Sequence, residues 1–163
     1  MKYTTAFFLL GLAALTACGD DDDGDVSFSA EAIQGTWNVD LEQDGFGGTE
    51  DGVTVFTGER GDGGDATITF AEDGTFTSSG SLNVVDYTET DGQVEDDTDP
   101  VSEPFDGEGT YVISGPTITL IEDNIPTTYT VESFSTSQLL LEGRSEDPTV
   151  EGGSFFERLE LSR

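Results

Sequence analysis

The chain has 163 residues, of which 35 are acidic and five basic, so its formal net charge is −30. This charge excludes nucleic acid and anionic lipid surfaces as binding partners, because both would repel the protein. The absence of histidine excludes His-based catalytic triads and the usual zinc ligand.

Residues 1–17 have the three parts of a secretory signal peptide. Lys2 supplies the positive charge, residues 6–15 form an apolar run, and small residues at 16 and 17 precede the expected cut. The apolar run is too short to cross a bilayer as a helix, which requires roughly 20 residues. The sequence therefore predicts an exported protein.

The only cysteine, Cys18, directly follows this leader. Leu15-Thr16-Ala17-Cys18 resembles the lipobox of bacterial lipoproteins, in which the cysteine thiol is lipidated, the leader is cut off before it, and the new amino terminus is acylated. An ordinary signal peptide with an incidental cysteine is the alternative. Two or three acyl chains on Cys18 would hold the protein stably at a membrane.

Residues 18–29 are predicted to be an acidic tether that like charges keep extended. The acidic run resembles a surface-export signal of Bacteroidetes-type lipoproteins, with a plain spacer as the alternative. In lipoprotein sorting, Asp directly after the cysteine retains the protein at the inner membrane. Because Gly19 occupies that position, the expected address is the outer membrane, facing either the periplasm or the medium.

Residues 30–163 are predicted to form one all-β domain. After a short helical turn at 30–34, Trp37, Val39 and Leu41 alternate with polar residues, which indicates a half-buried strand. A second strand is expected within residues 50–57, followed by a Gly/Asp-rich loop.

Asp73-Gly74 lies between two alternating runs and predicts a β-hairpin. Residues 82–88 should continue its second strand after a bend at Gly80. Residues 89–109 are predicted to be a long acidic loop. The remaining strands are expected at 110–114, 117–121, 127–134, 138–142 and 154–161. The pattern favours an antiparallel up-and-down meander closed into a barrel of about eight strands, with a β-sandwich as the alternative.

Three motifs resemble the lipocalin-like domain of Bacteroidetes lipoproteins: Gly35-Thr36-Trp37, Asp73-Gly74-Thr75-Phe76, and the pattern of Gly, Tyr and Ile in residues 109–120. The resemblance covers residues 33–161 and implies a ligand-carrying barrel. In lipocalins an arginine from the end of the barrel packs over the tryptophan. Arg158 is the only arginine on the last predicted strand, and it lies opposite Leu159 and Leu161. The predicted strands therefore do not supply that contact.

Five aromatic residues are predicted to point inward: Trp37, Phe70, Phe76, Tyr111 and Tyr129. They could line a cavity for a small apolar ligand or glycan, or they could fill the core, since a barrel of about eight strands has room for either. The first alternative predicts a lipid-anchored binding protein. The second predicts a structural or interaction protein of a surface complex, with a filled core and acidic loops that contact a partner.

The sequence predicts neither an enzyme nor a cofactor. A glycosidase-type pair of carboxylates must be partly buried, and nearly every acid falls in a loop or on the polar face of a strand. No specific metal site is predicted, although acidic loops could associate weakly and nonspecifically with Ca²⁺. The domain is expected to be a monomer. Its acidity indicates either a solvated surface or adaptation to a salty medium.

Overall fold

A computed structural model describes residues 28–50, 52–146 and 153–163. The predicted leader, Cys18 and nearly all of the predicted tether lie outside these residues. The ring of Phe28 packs edge-on against Phe134, with 5.5 Å between centroids. The hydroxyl of Ser29 accepts a hydrogen bond from Ala32 N and caps the helical turn α1 (Ala30–Ile33). Phe28 and Ser29, which were predicted to belong to the tether, thus contact the folded domain.

Twelve strands follow α1 in the described part of the chain. They are β1 (Gly35–Glu50), β2 (Val53–Asp62), β3 (Thr67–Phe70), β4 (Thr75–Ser79), β5 (Ser81–Thr90), β6 (Gln93–Asp96), β7 (Val101–Pro104), β8 (Gly107–Ser114), β9 (Thr117–Glu122), β10 (Ile125–Phe134), β11 (Gln138–Glu146) and β12 (Gly153–Ser162).

Eight of these strands, β1, β3, β4 and β8 to β12, close an antiparallel barrel by the pairing of β12 with β1. The other four lie outside it and continue the sheet along the second half of β1. Three sets of consecutive strands follow one another end to end: β2 with β3, β4 with β5, and β6 with β7 and β8. When each set is counted as one long strand, the chain is an up-and-down meander. The predicted all-β barrel is confirmed, and the sandwich alternative is wrong.

Two segments predicted as loops are strands. Residues 58–62 belong to β2, and residues 93–96 and 101–104 form β6 and β7, which both pair with β5. All residues of β6 and β7 are exposed at the edge of the sheet, where acidic side chains cost little. The turn before β6 is Asp91-Gly92 with φ of 50° and 80°, a hairpin signal that the composition of the segment obscured.

One end of the barrel is filled and covered. Trp37 is fully buried there, and its indole Nε1 donates a 2.7 Å hydrogen bond to the carbonyl oxygen of Ile33 in α1. The guanidinium of Arg163 lies 4.0 Å from the centre of the Trp37 ring and donates to the carbonyl oxygens of Ile33 and Gln34. We call this the covered end.

The arginine over Trp37 therefore comes from the residue that follows β12, and not from the strand itself. Arg158 does point away from the barrel interior, as predicted, and bonds Glu160 on the outer face. Arg163 lies beyond the last predicted strand at 154–161, so alternation along that strand does not predict the contact. The strand ends at Ser162, and leaving it frees Arg163 to turn back over the tryptophan.

Candidate functional site

Four of the five aromatic residues predicted to point inward belong to the buried core. Trp37, Phe70, Phe76 and Tyr111 are at most 6% exposed; Phe70 and Tyr111 meet edge to face at 5.2 Å, and Phe76 lies opposite Phe70 in the pairing of β3 with β4. Phe76 and the half-buried Tyr129 also line a cavity toward the end of the barrel where β1 leaves β3. We call that end the mouth. The covered end is thus a filled core, and the mouth is not.

The mouth cavity has a volume of roughly 300 Å³. Its apolar wall comes from strands on opposite sides of the barrel, because inward-facing residues alternate along each strand. This wall consists of Ile68, Phe76, Phe105, Leu120 and Leu159. Glu42, Glu122 and Tyr129 are polar members of the same lining. An apolar cavity with a few convergent polar groups is the usual form of a small-molecule site.

A row of carboxylates crosses four neighbouring strands beside this cavity. On β12 and β1, Glu157 lies opposite Asp44. On β2, the backbone N–H of Glu59 donates a 3.0 Å hydrogen bond to Asp44 Oδ1, and Glu59 in turn lies opposite Asp86 on β5. Glu42 is two residues before Asp44 and shares its face. We call Glu42, Asp44, Glu59, Asp86 and Glu157 the acidic row.

Burial and the neighbouring carboxylates raise the pKa of two members of this row, Glu42 and Glu59. Burial, with Asp44, Glu59 and Glu157 nearby, raises the pKa of Glu42 to about 7. The pKa of Tyr129 is also raised, first by burial and then by its charge interaction and hydrogen bond with Glu157. Burial and then Asp44 raise the pKa of Glu59. The second oxygen of Glu157, Oε2, is enclosed by protein and has no hydrogen-bond partner.

Glu157 lines two further cavities and not the mouth cavity itself. One, of roughly 370 Å³, lies over the acidic row and includes Phe46 and Phe155, whose ring centres are 5.1 Å apart. The other, of roughly 180 Å³, lies between β10 and β11, which pair only from Thr130 onward, and Arg144 also lines it. The mouth is therefore an apolar recess with a strongly acidic side.

Alternation along β1 does not predict the positions of Glu42 and Asp44, because the strand contains one β-bulge. The register of β1 against β12 shifts between Val39 and Leu41, so that Leu41 lies opposite the outward-facing Glu160. Simple alternation from Trp37 puts Leu41 inside, and that prediction is wrong. Beyond the bulge Glu42 takes the inward position, and the exposed Asp44 and the half-buried Phe46 continue the same side of the strand past the mouth cavity. The sequence contains one sign of the bulge. Phe46 is apolar but lies an odd number of residues after Val39, so simple alternation would put the two on opposite faces of the strand.

In the described part of the chain, no three acidic or cysteine side chains converge in a way that would hold a metal ion. Among the same residues, no helix is both long and apolar enough to cross a membrane. No protein-family model, no curated protein and no solved structure matches this chain.

Proposed function

We propose that this protein is a lipid-anchored lipoprotein of the cell envelope whose lipocalin-like barrel binds a small molecule with an apolar body. The mouth cavity of roughly 300 Å³ carries this proposal, because a barrel filled at both ends would have no room for a ligand. The packing of Arg163 over Trp37 supports the likeness to lipocalins, since it supplies the arginine that the predicted strands lacked.

The anchoring half of the proposal rests on Leu15-Thr16-Ala17-Cys18 and the signal-like leader before it. The substitution Cys18→Ser should abolish acylation and release the protein from the membrane fraction, because serine lacks the nucleophilic thiol. Thr16→Ala keeps a small residue before the cut and should leave both properties intact. Metabolic labelling with an alkynyl fatty acid, followed by membrane fractionation, measures them. Equal labelling of the Cys18→Ser variant would contradict the proposal.

The binding half is tested by native mass spectrometry of the protein purified from its own host. We expect a bound small molecule that is lost on denaturation. Leu120→Trp, which fills the cavity, should remove that extra mass. Val112→Trp adds the same ring to the neighbouring strand at an outward position that is 56% exposed, and should retain it.

An interaction protein without a ligand is the second candidate, and the exposed edge of the sheet favours it. Val94 and Val101 on the acidic edge strands β6 and β7 are 42% and 59% exposed. Edge strands can receive a further strand from a partner. This alternative would be favoured if no ligand is retained, and if Leu120→Trp changes the native mass only by the mass of the substitution itself.

A further inference from the structure

The mouth cavity has one carboxyl group set within its apolar wall. Phe76 and Leu159 in this wall are at most 6% exposed, and Glu42 lies opposite Leu159 in the pairing of β1 with β12. On its other side Glu42 lies opposite Gly61 of β2. The buried side chain of Leu82 fills the space that this glycine leaves, because a Cβ at Gly61 would lie 3.0 Å from Leu82 Cδ1. Hydrocarbon therefore flanks the Glu42 side chain on both sides.

No base offsets the charge of this carboxyl group in the cavity. The lining has three carboxyl groups, those of Glu42, Asp106 and Glu122, and among the residues that the structure describes no arginine or lysine lines it. Asp106 and Glu122 are exposed at the rim, whereas Glu42 is partly buried. Because water and salt screen a partly buried charge less than an exposed one, an anion that enters the cavity is repelled mainly by Glu42.

The pKa of Glu42 indicates that a negative charge is unfavourable at this position. Burial, followed by the charges of Asp44, Glu59 and Glu157, raises that pKa to about 7. Both causes would also act on the carboxylate of a ligand bound beside Glu42. The charge of Glu42 itself would add to them.

We infer that Glu42 makes the mouth cavity selective for uncharged ligands: an apolar molecule that ends in a hydroxyl or ester oxygen binds, and the corresponding carboxylate is excluded. This inference rests on the proposed binding function, and it names the class of ligand and the residue that selects it. The hydroxyls of Ser78 and Thr127 also line the cavity and can donate a hydrogen bond to such an oxygen. A fatty acid offers the same hydrocarbon but brings a second carboxylate close to Glu42.

The test compares octan-1-ol with octanoate, which share one hydrocarbon chain and differ in charge. Isothermal titration uses the full chain carrying Cys18→Ser as the parent protein. It is done at about pH 8 and at about 0.15 M NaCl, which screens the general field of the protein. The measured quantity is the ratio of the octanol affinity to the octanoate affinity. Its value in the parent protein is a reference, because an ionised carboxylate is also harder to desolvate than a hydroxyl group.

Glu42→Gln keeps the shape of the side chain and removes its charge. It should lower the ratio at least about fivefold by strengthening octanoate binding, and it should change the octanol affinity less than about twofold. Glu132→Gln removes an exposed acid on β10, outside the cavity, and should leave the ratio unchanged. Far-ultraviolet circular dichroism of each variant verifies the fold.

The pH dependence of the ratio is a second measurement, which the parent protein itself provides. At about pH 6 Glu42 is mostly protonated, because its pKa is about 7, whereas octanoate is still ionised. We therefore expect the ratio to fall from about pH 8 to about pH 6 in the parent protein, and to change less in Glu42→Gln. The other titratable groups near Glu42 or in the cavity lining are present in both proteins; they are Asp44, Glu59, Asp106, Glu122, Tyr129 and Glu157.

Each departure from this pattern has a separate meaning. An unchanged ratio in Glu42→Gln would overturn the inference and leave the proposed function standing. An equal fall of the ratio in Glu132→Gln would also overturn it, because overall charge would then be responsible. If neither probe binds, the ligand retained from the host decides. A carboxylate in that ligand would overturn the inference, an uncharged ligand would support it, and no retained ligand would overturn the proposed function itself.

Discussion

Glu42 faces the interior of the barrel because β1 contains one extra residue against β12. The bulge lies at Asp40, whose side chain is fixed by a 2.9 Å hydrogen bond from the hydroxyl of Ser162. A bulge changes which face every later residue of the strand occupies. A single inserted position thus places the carboxylate of Glu42, and not the neutral Gln43, in the lining of the mouth cavity.

Burial of Glu42 lowers the stability of the fold by an amount that depends on pH. The pKa of Glu42 is about 7 in the folded protein, above its ordinary value of 4.5, because of burial and the carboxylates of Asp44, Glu59 and Glu157. A raised pKa means that the folded state binds more protons than the unfolded state between these values. Stability is therefore expected to fall as the pH rises from about 4.5 to about 7, by up to about 3 kcal/mol from this group.

Urea unfolding of the wild-type protein and of Glu42→Gln, at pH values on both sides of this interval, measures that contribution. The stability of the variant relative to the wild type should increase through the interval and then stay constant. Glu132→Gln removes an exposed charge and should show no such difference, which separates burial from the general repulsion of an acidic protein. A constant difference between wild type and Glu42→Gln would contradict the assignment.

At the scale of elements, α1 and the residue after β12 together close the covered end. α1 has only four residues, too few to be stable by itself, so its position depends on tertiary contacts. Ile33 is fully buried, and its carbonyl oxygen receives both the indole N–H of Trp37 and the guanidinium of Arg163. This oxygen joins the two ends of the domain, together with the carbonyl oxygen of Gln34 and the pairing of β1 with β12.

Removal of the guanidinium should therefore loosen this closure. We expect Arg163→Ala to destabilise the fold by roughly 2 kcal/mol, because a charge-assisted hydrogen bond and a cation–π contact are both lost. Fluorescence of Trp37, the only tryptophan, should shift to longer wavelength as water reaches the ring.

Arg144→Ala is a matched control, since Arg144 is also an exposed arginine over an aromatic ring, that of Phe156 at 4.9 Å. It pairs with Glu142 at 3.9 Å, whereas Arg163 holds the carbonyl oxygens of Ile33 and Gln34. The control substitution should cost less than about 1 kcal/mol and leave the fluorescence unchanged. Equal losses for the two variants would show that the covered end does not depend on Arg163.

At the scale of the whole molecule, the barrel places nearly all of its acids on the surface and in the exposed extension beside the mouth. A formal charge of −30 on a chain of this size disfavours the compact state, because folding brings like charges together. Salt shortens the range of that repulsion to about 10 Å at 0.1 M. Adaptation to a salty medium remains a hypothesis that this repulsion makes testable.

We expect the thermal unfolding midpoint at neutral pH to rise steadily from very low salt to about 1 M NaCl. Near pH 3 most carboxylates are neutral, so the same series there should give a much smaller rise. A midpoint independent of NaCl at neutral pH would show that the acids are a solvated surface and no adaptation. An equal rise of the midpoint at both pH values would show that NaCl acts by strengthening hydrophobic burial and not by screening the carboxylates.

Much of the fold follows from local sequence. Alternation around Trp37, the turns at Asp73-Gly74 and Gly115-Pro116, and the bend at Gly80 all have direct physical causes in side-chain period and permitted φ. These features, with the order of the strands, are enough to predict an antiparallel barrel. The aromatic residues that point inward follow from the same period of two.

The site itself was decided by tertiary structure. Only the pairing of β1 with β12 creates the bulge that turns Glu42 inward, and only the pairing of β2 with β5 extends the acidic row across four strands. Which aromatic residues fill the core and which line the cavity depends on the end of the barrel that α1 and Arg163 cover. Local sequence specifies a residue's side of a strand, whereas register and closure specify what that side faces.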